Sequence, residues 1–161
     1  MKKYLPYILT VIVVIVADQA TKAAILATIE TDPVHILPFF NFVLVWNRGI
    51  SFGLFSQSHE NAPIFLSVLS LAISAIMAFW IKREIATNKP LCFALSAVIG
   101  GALGNVIDRA RFGAVVDFAD FHIGNWHYPA FNIADSAIVL GIVFAAIDGL
   151  FLEQRRKKQG S

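Results

Sequence analysis

Long apolar runs alternate with short polar segments along the whole chain. Four of these runs, at about residues 4–29, 62–81, 91–107 and 133–152, consist mostly of Val, Ile, Leu, Phe and Ala. A helix needs roughly 20 mostly apolar residues, at ~1.5 Å rise each, to cross the hydrocarbon core of a bilayer. The pattern therefore predicts an all-α membrane protein with four transmembrane helices.

The composition agrees with this fold class. Hydrophobic residues make up 57% of the chain, charged residues 15%, and the mean hydropathy is +0.68, which no ordinary soluble domain shows. We find no internal repeat or linker, so we expect a single membrane domain over residues 1–161. The first run also resembles a cleaved leader, but it is followed by DQATK instead of a small-residue cleavage site.

The basic residues predict the orientation. Nine of the 13 Lys and Arg residues lie at the two termini or between the second and third runs. By the positive-inside rule both termini are cytoplasmic, and residues 30–61 and 108–132 face outward. Lys22, Arg48, Arg109 and Arg111 are the exceptions, and they need an explanation other than topology.

The first outer segment differs in character from the helices. NFVLVWN (41–47) and ISFGLF (50–55) are rich in β-branched and aromatic residues, and Arg48–Gly49 offers a turn between them. We expect a small interfacial β-element there. Rings suited to the headgroup level, either as anchors or as substrate contacts, are those of Trp46, Phe52, Phe55, Trp126 and Tyr128.

Two aspartates are the candidates for chemistry. Asp117 and Asp135 lie beside apolar runs, where a carboxylate is costly and therefore suggests function. They are 18 residues apart, which on one continuous helix would separate them by ~27 Å, so the chain must reverse, aided by Gly124, Asn125 and Pro129. We expect Asp117 at the outer end of the third helix and Asp135 one turn into the fourth.

Such a pair suits hydrolysis, although the residues alone leave alternatives. Two carboxyls held close together cannot both ionise cheaply, so one keeps a proton while the other can activate water. The same aspartates could instead cap helices or pair with Arg109 and Arg111. A small proton-coupled transporter would also carry acids in its helices, but it would need acids across the full thickness.

The other acids have structural interpretations. Asp18 has Lys22 at i+4 on one helix face, so the two can neutralise each other and brace the site. Asp148 lies ~20 Å along the fourth helix from Asp135, where it would snorkel or pair with Arg155 or Arg156. Neither residue is expected to join the pair of aspartates.

No metal or cofactor is expected. The histidines show no H-E-x-x-H spacing, and the single cysteine, Cys92, excludes an internal disulfide and a cysteine-rich metal site. A formal net charge of +2 with a basic tail favours membrane lipids as partners and gives no sign of nucleic-acid binding. The four histidines are His35, His59, His122 and His127.

Five ordered blocks carry a resemblance to a known family. They are DQATK (18–22), Asn47-x-Gly49-x-x-Phe52-Gly53, GGALGNVIDR (100–109), VDF (116–118) and FNIAD (131–135). Together with the four-helix layout, these blocks resemble the bacterial lipoprotein signal peptidases, the signal peptidase II family of aspartic membrane proteases. Ile50–Ser51 stands where small residues are more usual in that family. Gly100, Gly101 and Gly104 suit close approach of a helix of this protein or of a lipid chain.

The resemblance implies roles for particular residues. Asp117 and Asp135 would be the catalytic aspartates, with Asn105, Asp108, Arg109 and Asn132 as polar residues around them. Asn47 and Gly49 would belong to the substrate-associated block, and Asp18 and Lys22 to a supporting block. For Asn132, helix capping and orientation of the substrate both remain open.

The resemblance also implies a substrate and a location. The substrate would be a prolipoprotein whose cysteine carries diacylglycerol, cleaved on the amino side of that cysteine. The enzyme would work as a monomer in the bacterial inner membrane with its active site at the outer face, and the cyclic peptide globomycin would inhibit it.

Overall fold

The computed structural model describes residues 2–49 and 61–152. Within these ranges four helices are long and apolar enough to cross a membrane, which confirms the predicted fold class. The chain opens with a 3-10 turn, Lys2–Tyr4, and α4 continues as a π-helical turn, Asp148–Leu152. The helices are α1 (Leu5–Thr28), α2 (Ala62–Glu84), α3 (Lys89–Phe112) and α4 (Ile133–Ile147).

Helix α3 is the centre of the bundle. In its apolar segment 56% of the residues are buried, against 11–17% in the other three helices, whose remaining apolar side chains are exposed as expected for a lipid-facing surface. Glycines let the neighbours approach: a Cβ on Gly100 would meet Val14 of α1, and one on Gly101 would meet the Ala134 carbonyl of α4. These glycines therefore serve packing within the protein.

A four-stranded antiparallel sheet lies beside the C-terminal ends of α1 and α3. Its strands are β1 (Val34–Leu37), β2 (Phe40–Asn47), β3 (Val115–Ile123) and β4 (Trp126–His127), paired in that order. An apolar cluster of α1 and β3 residues, Ile25, Ile29, Phe118 and Ala119, joins the sheet to the bundle. The sheet thus joins two segments that are distant in sequence, residues 34–47 and residues 115–127.

The sheet is larger than the predicted β-element. Strand β2 was expected from NFVLVWN, but it pairs with β1 and with β3. The predicted partner segment, 50–55, lies outside the described residues, as do Phe52 and Phe55. Trp46, Trp126 and Tyr128 are exposed, at 45%, 63% and 53%, as the headgroup interpretation requires.

Two expectations about the outer end of α3 are wrong. The helix runs five residues past position 107, to Phe112, so Asp108 and Arg109 lie on it and not in an outer loop. Gly113, at φ 68°, ends the helix in a left-handed cap and turns the chain into β3. Asp117 therefore lies on a strand rather than at the end of the helix.

Asp148 at the opposite end is buried and does not snorkel. Its Oδ2 accepts a hydrogen bond of 2.7 Å from Asn88 Nδ2, while Asn88 Oδ1 caps α3 by accepting from Leu91 N at 3.2 Å. This contact joins the start of α3 to the end of α4. The alternative partners, Arg155 and Arg156, lie outside the described residues.

The packing of α3 against α4 predicts a cost for added volume. In Gly101→Ala the new methyl would meet the Ala134 carbonyl and Ile138. We therefore expect the free energy of unfolding to fall by about 1–3 kcal/mol and the melting temperature in detergent to be lower. The control is Gly149→Ala, where a Cβ meets nothing within 4 Å. Equal melting temperatures for the two variants would contradict this account of the contact.

Candidate active site

Asn132 connects the two candidate aspartates. It is the N-cap of α4, where its Oδ1 accepts a hydrogen bond from Asp135 N at 2.8 Å. In return, Asn132 N donates to Asp135 Oδ2 at 3.4 Å, which completes a capping box. Its Nδ2 donates to Asp117 Oδ1 at 2.7 Å. Helix capping and orientation of the Asp117 carboxyl are therefore combined in one side chain. Asp117 and Asp135 lie together, as the sequence predicted.

Asp117 is enclosed by β2 and the start of α4. Its side chain is 1% exposed, and it sits on β3 opposite Val45. Besides the bond from Asn132, its Oδ2 accepts from Asn47 Nδ2 at 2.9 Å. Asn47 is held in turn by Gly49, whose backbone N–H donates to Asn47 Oδ1 at 2.8 Å. Gly49 thus fixes the direction of the Asn47 amide.

Asp135 is less enclosed than Asp117. It occupies the first turn of α4 and is half-buried. Its Oδ1 accepts from Asn105 Nδ2 on α3 at 2.8 Å. It also opens onto an apolar groove of about 330 Å³. The groove is lined by Tyr128, Phe131, Asp135, Ser136, Val139 and Leu140.

A buried ionic group lies behind the aspartates. Lys22 Nζ is 2.8 Å from Asp18 Oδ2 and 2.8 Å from Asp108 Oδ2, with all three side chains no more than 3% exposed. It also donates to Asn105 Oδ1 at 3.1 Å. The predicted pair of Asp18 and Lys22 is present, and Asp108 makes it a triad. All three ammonium protons have partners.

Arg109 lies half-buried on α3 near the same carboxylates. Its charge interacts with those of Asp135, Asp117 and Asp108, but within the described residues it forms no ion pair at 4.0 Å or less. In the same part of the chain its buried Nε has no hydrogen-bond partner. The guanidinium therefore keeps donors that other described groups do not use.

Sequence reasoning assigned no role to three polar residues: Gln19, which lies at this site, and Asn41 and Asp120, which lie on the other face of the sheet. Gln19 Nε2 donates to Asp108 Oδ1 at 2.8 Å, and its position beside Asp18 was the available signal. On the other face of the sheet Asn41 donates to Asp120 at 3.0 Å, and His127 Nδ1 lies 2.9 Å from the same carboxyl. These last contacts depend on strand register and had no signal in the sequence.

Comparisons with known proteins identify relatives of this chain in sequence and in structure. The family model described as "Signal peptidase (SPase) II" matches residues 10–151. A lipoprotein signal peptidase of Polynucleobacter necessarius is 46% identical over 85% of this chain and 84% of its own length. One of Methylobacterium radiotolerans is 41% identical over 94% of this chain and 89% of its own length. A solved bacterial membrane enzyme, 31% identical, superposes with a TM-score of 0.77, covering 91% of this chain and 93% of the other.

The chain belongs to the signal peptidase II family. It is thus a multi-pass membrane protein of a bacterial peptidase family. Within the described ranges, no group of three or more His, Cys, Asp or Glu side chains is arranged to hold a metal ion. His59, one of the four histidines weighed from the sequence, lies outside those ranges.

Two buried aspartates on β3, Asp117 and Asp120, have pKa values that are shifted in opposite directions. Burial, reinforced by the charge of Asp135, raises the pKa of Asp117 from 3.8 to about 6 against the lowering effect of hydrogen bonds from Asn47 and Asn132. Burial also acts to raise the pKa of Asp120, but bonds from His127 and Asn41 outweigh it and the pKa is lowered. The environment of Asp117 thus favours the protonated form well above the usual range.

The opposite shifts predict opposite effects of pH on stability. A raised folded pKa gives Asp117 a stabilising contribution that is complete below its unfolded pKa and lost as pH rises through about 6. Wild type should therefore lose stability relative to Asp117→Asn between about pH 4 and 7, by about 3 kcal/mol at most. Melting temperatures of the two proteins across this range, in one detergent, measure the difference.

Asp120→Asn is the matched control, since Asp120 is a buried carboxyl on the same strand. Its lowered pKa means that its contribution is present above the unfolded pKa and is lost as pH falls. The stability of wild type relative to this variant should therefore increase as pH rises from about 3 to 5. A difference of the same sign for both variants would contradict the electrostatic account.

Proposed function

We propose that this protein is an aspartic endopeptidase that removes the signal peptide from diacylglyceryl-modified prolipoproteins, cleaving on the amino side of the lipidated cysteine. Membership in the signal peptidase II family supports the substrate class. The observation that carries the aspartic mechanism is the convergence of Asp117 and Asp135 on Asn132, from a strand and from a helix.

The proposed reaction needs one ionised and one protonated carboxyl. The ionised carboxyl accepts a proton from water while the water oxygen attacks the peptide carbonyl carbon. The protonated carboxyl hydrogen-bonds the carbonyl oxygen and then delivers its proton to the leaving nitrogen. The C–N bond breaks, a carboxylic acid and an amine leave, and the pair regains one proton. Burial raises the pKa of Asp117 to about 6, which favours the protonated form of this carboxyl well above the usual range.

The surroundings of the pair are consistent with a membrane-borne substrate. The groove beside Asp135 is lined mostly by apolar side chains of α4 and of the segment after β4, so it suits a hydrocarbon chain or an apolar peptide. Arg109, with donors left unused, is proposed to bind a substrate carbonyl or headgroup oxygen. Asn47 is proposed to hold the substrate backbone as well as Asp117.

The positive-inside rule supports the proposed orientation. Lys2, Lys3, Lys82, Arg83 and Lys89 mark one side of the bundle, and the sheet and the two aspartates lie toward the other. We therefore place the active site at the outer face of the bacterial inner membrane, with both termini cytoplasmic and lipids around the helices. Every proposed site residue comes from one chain, which supports a monomer that forms a single domain.

Removal of either carboxyl should abolish cleavage. Purified wild type, incubated with a diacylglyceryl prolipoprotein and EDTA, should release the signal peptide on a gel. Asp117→Asn and Asp135→Asn should each lower kcat by about 10³-fold or more, because neither can pass the proton. EDTA should have no effect, since no step uses a metal.

Asp120→Asn is the control for this experiment and should cleave at the wild-type rate. It removes a buried carboxyl three residues from Asp117 but on the opposite face of the sheet. Near-normal activity of Asp117→Asn or Asp135→Asn would remove that aspartate from the mechanism. A wild type that does not cleave would instead favour the small proton-coupled transporter.

Globomycin is proposed to bind in the cleft beside the aspartates. A cyclic peptide that replaces the substrate there would accept hydrogen bonds from the pair of carboxyls or donate hydrogen bonds to it. Each such bond to a charged group is worth about 1.5–3 kcal/mol. Asp117→Asn or Asp135→Asn should then weaken binding by about tenfold or more, measured as Kd in detergent. Asp148→Asn, at the far end of α4, should bind as wild type. Unchanged Kd values in both active-site variants would exclude this position for the inhibitor.

A further inference from the structure

Asp18 holds the backbone next to one catalytic aspartate. Its Oδ1 accepts from the backbone N–H of Ala134, the residue immediately before Asp135, at 3.0 Å. This N–H belongs to the first turn of α4, where a helix leaves its donors without intrahelical partners. A carboxylate from α1 thus fixes the start of α4, and its other oxygen, Oδ2, contacts Lys22 at 2.8 Å.

Asp108 makes the equivalent contact beside the other catalytic aspartate. Its Oδ2 accepts from the backbone N–H of Val116, the residue immediately before Asp117, at 3.1 Å. The same oxygen is 2.8 Å from Lys22 Nζ. A carboxylate from α3 thus fixes β3 at the point where the catalytic side chain leaves it.

Lys22 therefore joins two matching contacts. One ammonium group bridges two carboxylates, and each carboxylate binds the peptide N–H that precedes one member of the catalytic pair. We infer that Lys22, Asp18 and Asp108 form a brace that sets the separation of Asp117 and Asp135. We call these three residues the Lys22 brace. This inference rests on the proposed function. The three residues join α1 to α3, and the inference adds that they position the two catalytic aspartates.

A third contact extends the brace to a side chain. Lys22 Nζ and Asn132 Nδ2 both donate to Asn105 Oδ1, at 3.1 and 3.3 Å. With its oxygen engaged twice, the Asn105 amide must present its NH₂ to Asp135 Oδ1, which it contacts at 2.8 Å. The brace thus fixes the orientation of the Asp135 carboxyl as well as the position of its backbone.

The test separates the ionic bridge from the backbone contacts. In the triple variant Lys22→Met, Asp18→Asn, Asp108→Asn, the new amide oxygens can still accept from the two peptide N–H groups, and no unpaired charge stays buried. The ionic bridge is lost, together with the bond from Lys22 to Asn105. Because a misplacement of about 1 Å can cost 10²-fold, we expect kcat to fall about 10²-fold with KM little changed.

A second readout does not depend on activity. In protein labelled with carbon-13 at aspartate carboxyls, the titration of Asp117 reports its distance from Asp135, because the charge of Asp135 helps to raise the pKa of Asp117. When the bridge is lost the carboxyls move apart, and the pKa of Asp117 should fall toward the usual range. Signals are assigned with Asp117→Asn and Asp135→Asn.

The outcomes decide the inference. A folded triple variant with wild-type kcat and a wild-type pKa of Asp117 would overturn it, since the brace would then be structural only. If the triple variant does not fold, Lys22→Gln with Asp108→Asn, which keeps the wild-type net charge of the brace, is judged by the same two readouts. Asp148→Asn, which alters a buried carboxylate at the other end of the α3–α4 contact, should leave both readouts unchanged. A wild type without cleavage would refute the proposed function, while the titration would still decide the brace.

Discussion

The clustering of four carboxyl groups, three of them fully buried, at one end of a helix bundle is the constraint on which this structure depends. Asp18, Asp108, Asp117 and Asp135 converge there, and the first three are no more than 1% exposed. Buried charge is expensive unless it is paired and fully hydrogen-bonded. Lys22 is the cation that pairs with two of them, and it can reach both only if α1 lies close against α3. Gly104 permits that approach, because a Cβ there would lie 2.7 Å from Asp18 Oδ2.

Fixed amides complete the arrangement. Three asparagines donate an NH₂ to Asp117 or Asp135, and each has its oxygen engaged by a donor that determines which way the amide points. These donors are Gly49 N for Asn47, Lys22 Nζ for Asn105, and Asp135 N for Asn132. Groups oriented before substrate arrives need no reorganisation during the reaction, which is the principal electrostatic advantage of an enzyme site over water. The backbone and one lysine therefore specify the electrostatics of the pair.

The difference between local and non-local information explains which features were predictable from the sequence. Hydropathy fixed the helices to within a few residues, and the i,i+4 spacing of Asp18 and Lys22 predicted their pairing. Strand β3 was not recognised, because VVDFADF contains two acids and its pairing partner β2 lies about seventy residues earlier, as in Val45↔Asp117. The third member of the triad, Asp108, was placed in a loop for a related reason. Its helix continues to Phe112 and ends at Gly113, which adopts positive φ.

The unequal burial of the two aspartates bears on how a substrate would enter. Asp117 is closed off by β2 and Asn132, whereas Asp135 faces the apolar groove along α4. Val139 and Leu140, further along this groove, are 58% and 69% exposed on a helix long and apolar enough to lie among lipid chains. A hydrocarbon-bearing peptide moving within the bilayer would therefore meet Asp135 before Asp117, without first crossing into water. On the proposed function, lateral entry along α4 is the route that the burial of the pair favours, because the sheet covers the other side.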